Sequence, residues 1–180
     1  MLISDYFEHL HCSCPPRPSS ACWAAAAPGA PGRGLVGILA VPSGGPCGSW
    51  DHEQFCPRGY AKGFELKVSF GFFFRMGNKP MLFCSDHSTV IESSLGWGNW
   101  TKAQLCSSNR LVSFSLSVER WQYLRDNTAV NNVTFACSNG KQLEGWGLSG
   151  GHFGPWSSNC TSGGKWDDTA LSDMRVFCCE

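Results

Sequence analysis

Two stretches of the chain alternate between apolar and polar residues, and both predict β-strands. The segment VSFSLSV covers residues 112–118, and the segment GFELKVSF covers residues 63–70. Alternation with a period of two is typical of a strand with one buried face and one face in water. We therefore expect one face of each strand to be buried and the other to be wet. The predicted buried residues are Phe64, Leu66, Val68, Phe70, Val112, Phe114, Leu116 and Val118; the predicted wet residues are Glu65, Lys67, Ser69, Ser113, Ser115 and Ser117.

These strands belong to a longer internal repeat. Five apolar or cysteine positions recur fifty residues later, at Trp50/Trp100, Cys56/Cys106, Phe64/Phe114, Leu66/Leu116 and Val68/Val118. A second repeat links DNTAVNNVTFAC, residues 126–137, with DDTALSDMRVFC, residues 167–178, without a gap. A unit that returns in this way indicates one supersecondary structure used several times around a shared core.

The repeats divide the chain into three units, about 43–84, 93–137 and 149–178. Each unit has a lead-in segment with a tryptophan, a cysteine, an alternating strand, a turn, a second strand and a closing cysteine. In the second and third units the turn reads Asp-x-Thr-Ala, whose short polar side chains bond to nearby backbone groups. Only six residues separate Cys160 from Asp167, so the long alternating strand of the third unit is predicted to be absent.

Eleven cysteines indicate an oxidising compartment, where thiols pair as structural disulfides. Their spacing predicts that each unit forms a sheet that is locked by its own disulfide. A closed loop of about 30 residues contributes roughly 3–4 kcal/mol in the chain-entropy description. The predicted pairs are Cys56–Cys84, Cys106–Cys137, and Cys160 with either Cys178 or Cys179.

The first 34 residues are predicted to be a non-homologous, disordered segment that precedes a β domain at 35–180. They lack the basic start and continuous apolar run of a secretory signal, which predicts an altered N-terminus on a secreted domain. The apolar run at 34–41 is far shorter than the roughly 20 residues that span a bilayer. No metal site is expected, because zinc ligands prefer wider and more regular spacing than that of His9, His11, Cys12 and Cys14.

Charge and sequons refine this interpretation. Lys+Arg and Asp+Glu balance at 14 each, so the chain has no basic stripe of the kind that binds nucleic acid. Asn-x-Ser/Thr triplets mark glycosylation acceptors in secreted chains. The predicted acceptors are Asn99 and Asn132; Asn159 is disfavoured because a cysteine that is expected to pair follows it.

Across residues 41–180 the chain resembles the vitelline membrane outer layer protein family. The matching motifs are SGGPCGSW, GFELKV, WGNW, DNTAVNNVTFAC, LSGGHFGPW and DDTALSDMRVFCC. The resemblance implies an all-β fold, a β-prism of three antiparallel Greek-key sheets with pseudo-threefold symmetry, here with a shortened third unit. It also implies a secreted, disulfide-bonded protein associated with egg coats. The chain departs from the family at Cys47, where tryptophan is usual.

The function predicted first is that of a secreted, non-catalytic structural protein of an egg-coat-like layer or secretion. Its partners would be other extracellular coat proteins or glycans, without cofactor, metal, nucleic acid or membrane insertion. The alternative is carbohydrate binding, because sugar faces stack on exposed aromatic rings. The predicted carbohydrate contacts are Trp97, Trp121, Trp146, Trp166, Asp126 and Asp168.

A carbohydrate-active hydrolase or transferase is the enzymatic alternative. Such chemistry usually requires two carboxylates about 5–10 Å apart. The repeated aspartates are interpreted as turn formers, and the sequence contains no zinc-protease motif or phosphate loop. No catalytic residue is therefore assigned, although the available carboxylates are Glu119, Asp126, Asp167, Asp168 and Asp173.

Overall fold

The computed structural model describes residues 35–43, 55–68, 79–90, 98–119, 130–148, 151–160, 164–168 and 174–179. These ranges contain strands and no helix, which confirms the predicted all-β class; the same ranges accordingly offer no helical membrane span. In chain order the strands are β1 (Leu35–Leu39), β2 (Ala61–Val68), β3 (Lys79–Cys84), β4 (Thr89–Val90), β5 (Asn99–Trp100), β6 (Gln104–Leu105), β7 (Leu111–Glu119), β8 (Val130–Cys137), β9 (Gln142–Glu144), β10 (Gly151–Phe153), β11 (Gly164–Asp168) and β12 (Met174–Cys179).

The described strands form three sheets in which every pairing is antiparallel. The first-unit sheet has the order β4-β3-β2-β5, and β6 also pairs with β2. The second-unit sheet has the order β10-β7-β8-β9. The terminal sheet has the order β1-β12-β11, so strands from the two ends of the described chain lie side by side. Several antiparallel sheets around one interior are what a β-prism requires.

One hydrophobic core joins the sheets. Phe64 of β2 and Phe114 of β7 are completely buried, as their matched positions in the repeat predict. The ring of Phe135 in β8 packs edge-on against Phe64 with centroids 4.6 Å apart, and lies 6.2 Å from the ring of Phe114. Leu39 and Met174 extend the same core into the terminal sheet. The prediction of a shared interior is therefore confirmed.

The serine face of β7 is buried, so the prediction that it faces water is wrong. Ser113, Ser115 and Ser117 are only 6%, 0% and 3% exposed. The reason is that residues 151–160 run beside β7, and backbone N–H groups of that segment donate to β7 carbonyl groups at three places. The Ser115 hydroxyl donates to the Gly154 carbonyl at 2.8 Å, which satisfies a buried polar group.

The segments that lead into the second and third units pair with the sheet of the unit before them. β5 and β6 belong to the second unit but lie on β2, and β10 belongs to the third unit but lies on β7. The backbone N–H groups of Cys106 and Cys160 each donate at 2.8 Å to the carbonyl of a residue in β2 or β7, which are Lys62 and Val112 respectively. Neighbouring units therefore share strands as well as a core.

Three disulfides join the pairs that the spacing predicts: Cys56–Cys84, Cys106–Cys137 and Cys160–Cys178. The partner of Cys160 is thus Cys178, and not Cys179. Because Cys106 is bonded to the first-unit sheet and Cys137 ends β8, their disulfide links two sheets. Cys160 likewise connects the second-unit sheet with β12 of the terminal sheet.

The third unit keeps a strand that the sequence predicts to be missing. β11 spans Gly164–Asp168 and pairs with β12, and Asp167 and Asp168 stand in it opposite Arg175 and Met174. Those aspartates are therefore in a strand and not in a turn. On the other side of β12, β1 takes the place that β4 and β9 occupy in the other two sheets. The first described strand thus completes the sheet of the last unit.

Candidate functional site

A short loop after β9 presents Trp146 to solvent. Both ends of this loop are fixed to β8, because the N–H of Gly145 donates to the Val133 carbonyl at 2.9 Å and the N–H of Leu148 donates to the Asn131 carbonyl at 2.8 Å. Between these anchors the indole of Trp146 is 62% exposed. The loop therefore holds a large aromatic side chain outside the core on a fixed backbone.

The amide of Asn132 supports this loop from inside β8. Its Nδ2 donates to the Gly145 carbonyl at 2.8 Å, and its Oδ1 accepts from the N–H groups of Val133 at 2.9 Å and Gly147 at 3.3 Å. The side chain is 9% exposed, and its amide has partners for both its oxygen and its nitrogen. Asn132 is a structural residue that orients the two glycines beside Trp146.

This geometry argues against glycosylation of Asn132, whose assignment as an acceptor stays a prediction. A glycan would be attached to Nδ2, and that nitrogen is buried and donates to Gly145. Asn99 lies exposed in β5, so its assignment as an acceptor stays a prediction. Asn159 is also exposed and precedes a cysteine that forms a disulfide.

Glycine on both sides of Trp146 is required by close packing. A Cβ on Gly147 would lie 2.1 Å from the Asn131 carbonyl oxygen, and a Cβ on Gly145 would lie 2.6 Å from Asn132 Oδ1. Real Cβ atoms do not approach other atoms so closely, so any larger residue would push the loop away from β8. The sequence Gly-Trp-Gly thus holds the backbone that carries the aromatic ring close to β8.

Two further tryptophans are exposed in a second, repeated arrangement. Trp100 is 38% exposed and Trp156 is 40% exposed, and each precedes a hydroxyl residue. Leu66 donates its N–H to Thr101 Oγ1 at 3.0 Å and accepts from the Thr101 N–H at 2.8 Å. Phe114 and Ser157 repeat this pair of hydrogen bonds at 3.1 and 2.8 Å. The two tryptophans therefore have the same local hydrogen bonds, but their positions differ by two residues, because Leu66 matches Leu116 and not Phe114 in the repeat.

Charged groups accompany only one of these aromatic rings among the described residues. Lys67 Nζ lies 5.5 Å from the centre of the Trp100 ring, within the range of a cation–π interaction. On the same strand, burial raises the pKa of Glu65. A cation over an indole face leaves that face less available to a sugar, which makes Trp146 the better candidate for ligand stacking.

The other predicted site residues are only partly within the described ranges. Trp166, Asp167 and Asp168 belong to β11 and Glu119 ends β7, with only their backbone described. Lying outside the described ranges are Trp97, Trp121, Asp126, Asp173 and the His9, His11, Cys12 and Cys14 group. In the parts of the chain that the structure covers, no group of three or more histidine, cysteine or acidic side chains could hold a metal ion.

Sequence reasoning missed the role of Asn132 and the exposure of Trp100 and Trp156. It treated the two tryptophans as framework positions because they recur in the repeat. The useful signal was the pair of glycines around Trp146, since a large residue between two glycines indicates a close backbone approach. Nothing in the sequence distinguished Asn132, which satisfies a sequon, from an exposed acceptor.

Comparisons with known proteins agree with this architecture. The profile of the family described as vitelline membrane outer layer protein I matches residues 37–180. A human protein named vitelline membrane outer layer protein 1 homolog is 41% identical over 175 aligned residues, covering 82% of this chain and 85% of the relative. The mouse protein of the same name is 39% identical over 170 residues, covering 79% of this chain and 83% of the relative.

Proposed function

The chain belongs to the vitelline membrane outer layer protein I family, and from this membership we propose that it is a secreted, non-catalytic structural protein of an extracellular layer or secretion. The names of the human and mouse relatives point to the outer layer of an egg coat. The partners proposed for this chain are other extracellular coat proteins or glycans.

The disulfide arrangement is the observation that carries this proposal. Disulfides persist in oxidising environments and are rare in the cytosol. Here Cys106–Cys137 and Cys160–Cys178 each connect neighbouring sheets, so they resist separation of the sheets and not only unfolding of one unit. A molecule braced in this way suits a layer that must persist outside the cell.

The proposal can be tested in cultured animal cells with the full chain placed behind a heterologous secretory signal, because residues 1–34 lack the basic start and apolar run of such a signal. We expect the protein in the medium with the three disulfides intact, as shown by peptide mapping without reduction. The double variant Cys106→Ser/Cys137→Ser should be retained in the cell, because a closed loop of 31 residues contributes about 3–4 kcal/mol in the chain-entropy description. A wild-type protein that stays in the cytosol with free thiols would contradict the proposal.

A second candidate function is carbohydrate binding at Trp146. The specific observation that favours it is that Trp146 is 62% exposed between two glycines at which a Cβ would clash with β8. An aromatic residue on a backbone that is already anchored loses less conformational entropy when a ligand stacks on it. The fold alone gives no such support, because unrelated functions share one architecture.

Glycan binding is tested by comparing the wild type with Trp146→Ala and Trp156→Ala on a glycan array. If Trp146→Ala loses binding and Trp156→Ala keeps it, the result supports stacking at Trp146. Trp156→Ala is the control, because it also removes an exposed indole. Absence of binding by the wild type would leave the structural role as the supported function.

A turnover assay with chitooligosaccharides separates binding from catalysis. Turnover that is abolished by Asp126→Ala or Asp168→Ala would overturn the non-catalytic proposal in favour of a carbohydrate-active enzyme. Binding without turnover would support a lectin-like protein.

A further inference from the structure

Two turns that follow the closing cysteines of the first two units have the same hydrogen bonds. In the sequence CSNGK, residues 137–141, the Cys137 N–H donates to the Lys141 carbonyl at 2.8 Å and the Gly140 N–H donates to the Cys137 carbonyl at 2.9 Å. In CSDHS, residues 84–88, the corresponding distances are 2.9 and 3.1 Å. The third residue of each turn also accepts a bond from the backbone two residues later. We call these the asparagine turn and the aspartate turn.

The asparagine turn contains the one Asn-Gly dipeptide in the sequence. Asn139 and Gly140 are both exposed, and Gly140 has a positive φ of 85° with no atom within 4 Å of the position of a Cβ. Glycine leaves the backbone nitrogen after Asn139 free of side-chain crowding. We propose that Asn139 is a site of spontaneous deamidation, in which water is the co-reactant.

The reaction has two balanced steps. The backbone nitrogen of Gly140 loses its proton to solvent base and attacks Cγ of Asn139; a new C–N bond forms, and the bond to Nδ2 breaks with release of ammonia. Water then opens the resulting succinimide at one of its two carbonyl groups. Opening at one carbonyl gives aspartate, and opening at the other gives isoaspartate, whose backbone is one methylene longer.

Two hydrogen bonds of the turn act on this reaction in opposite directions. The Lys141 N–H donates to Asn139 Oδ1 at 3.1 Å, and it would stabilise the negative charge that develops on that oxygen during attack. The bond from Gly140 N–H to the Cys137 carbonyl must first open, because it occupies the attacking nitrogen. The reaction therefore needs local opening of the turn, but no opening of the core.

The aspartate turn shows that the aspartate product fits. Asp86 stands where Asn139 stands, and its Oδ1 accepts from the Ser88 N–H at 3.0 Å just as Asn139 Oδ1 accepts from Lys141. Isoaspartate has no counterpart in the twin turn and would lengthen the short connection between β8 and β9. Either product changes the formal charge of the chain from 0 to −1, since the acidic residues rise from 14 to 15 against 14 basic residues.

The test is incubation of the full, oxidised chain in neutral and mildly alkaline buffer containing ¹⁸O-labelled water. Peptide mapping with fragmentation that separates aspartate from isoaspartate should locate the label at residue 139, with a faster rate at the higher pH. Asn131 and Asn132, which are buried in β8, should remain amides over the same period.

Two variants act as controls. Gly140→His copies the aspartate turn, where His87 adopts a φ of 69°, and should lose the labelling because a side chain crowds the attacking nitrogen. Asn139→Asp should unfold at the same denaturant concentration as the wild type. Equal labelling of the wild type and Gly140→His would overturn the proposal. Labelling of other asparagines before Asn139 in the wild type would also overturn it, and this second test does not need Gly140→His to fold. Neither result bears on the proposed secretion or glycan binding.

Discussion

At the scale of single residues, the aspartate turn combines an unfavourable backbone conformation with a favourable carboxylate. His87 has a φ of 69°, in the left-handed region that residues with a Cβ rarely adopt. Asp86 compensates by accepting hydrogen bonds from both the backbone and the hydroxyl of Ser88. The twin turn has glycine at the position of His87, so the two turns form an internal comparison of the same geometry with different residues.

The substitution His87→Gly should stabilise the protein. A left-handed conformation costs a residue with a side chain roughly 1–2 kcal/mol, and glycine avoids this cost. Glycine also loses more conformational entropy on folding, which offsets part of the benefit. The expected net gain in the free energy of unfolding is about 0.5–1 kcal/mol. Denaturant unfolding of the oxidised protein measures it. Gly140→Ala should lose a comparable amount, and destabilisation by His87→Gly would show that the side chain of His87 makes a contact that outweighs its strain.

Acid should weaken the aspartate turn. The hydrogen bond from the Ser88 hydroxyl, followed by that from its backbone N–H, holds the pKa of Asp86 below its ordinary value. A carboxyl group whose pKa is lower in the folded state contributes stability above its unfolded pKa and loses it as pH falls through the folded pKa. Asp86→Asn keeps the acceptor without the charge, as Asn139 does. The unfolding midpoint of this variant should therefore fall less between neutral and acidic pH than that of the wild type; parallel curves would refute this account.

At the scale of strands and loops, sequence alternation predicted burial where the neighbouring strand is regular. Phe64, Leu66 and Val68 of β2 are buried as expected. Sequence alternation failed to predict the burial of Ser115, because the segment that covers β7 is irregular and lies about forty residues away. Serine is also common on strand faces that are exposed to water. Burial of a small hydroxyl depends on that distant partner, and local periodicity contains no information about it.

The same limit applies to the candidate site. The glycines beside Trp146 could be recognised locally, whereas the support from Asn132 depends on a backbone contact between β8 and the loop after β9. Disulfide pairs were predictable because cysteine spacing repeats with the units. The exchange of lead-in strands between sheets was not predictable, since it depends on contacts such as that of β5 with β2, which lie far apart in the sequence.

The substitution Gly147→Ala should destabilise the Trp146 loop. Its new Cβ would lie 2.1 Å from a backbone oxygen of β8, and overpacking of this kind costs about 1–3 kcal/mol. Gly37→Ala in β1 is the matched control, because no atom lies within 4 Å of its Cβ position. Denaturant unfolding should separate the two variants, and an equal effect would mean that the loop moves without cost.

At the scale of the whole molecule, β1 closes the terminal sheet. It lies beside β12 over the register from Leu35 opposite Cys179 to Leu39 opposite Val176. Leu39 is 4% exposed and belongs to the common core, whereas Ile38 beside it is 50% exposed. One strand from the beginning of the described chain thus supplies both an edge to the last sheet and a side chain to the interior.

This closure predicts different costs for two neighbouring substitutions. Leu39→Ala should lower the free energy of unfolding by about 2–5 kcal/mol, because a buried leucine leaves a cavity. Ile38→Ala should change it by no more than about 0.5 kcal/mol, as expected for an exposed position. Unfolding curves of both variants test the role of β1. Similar small losses in both would mean that β1 is attached to the sheet without contributing to the core.

The pairing of β1 with β12 has a consequence for synthesis on the ribosome. Translation releases β1 first and β12 last, so β1 must wait, with its apolar side chains unpaired, until nearly the whole domain has emerged. A nascent chain can form strands of the first-unit and second-unit sheets early, but the terminal sheet assembles only after β12 has emerged. During that interval the exposed apolar side chains of β1, such as Val36 and Ile38, are available for contacts with other proteins.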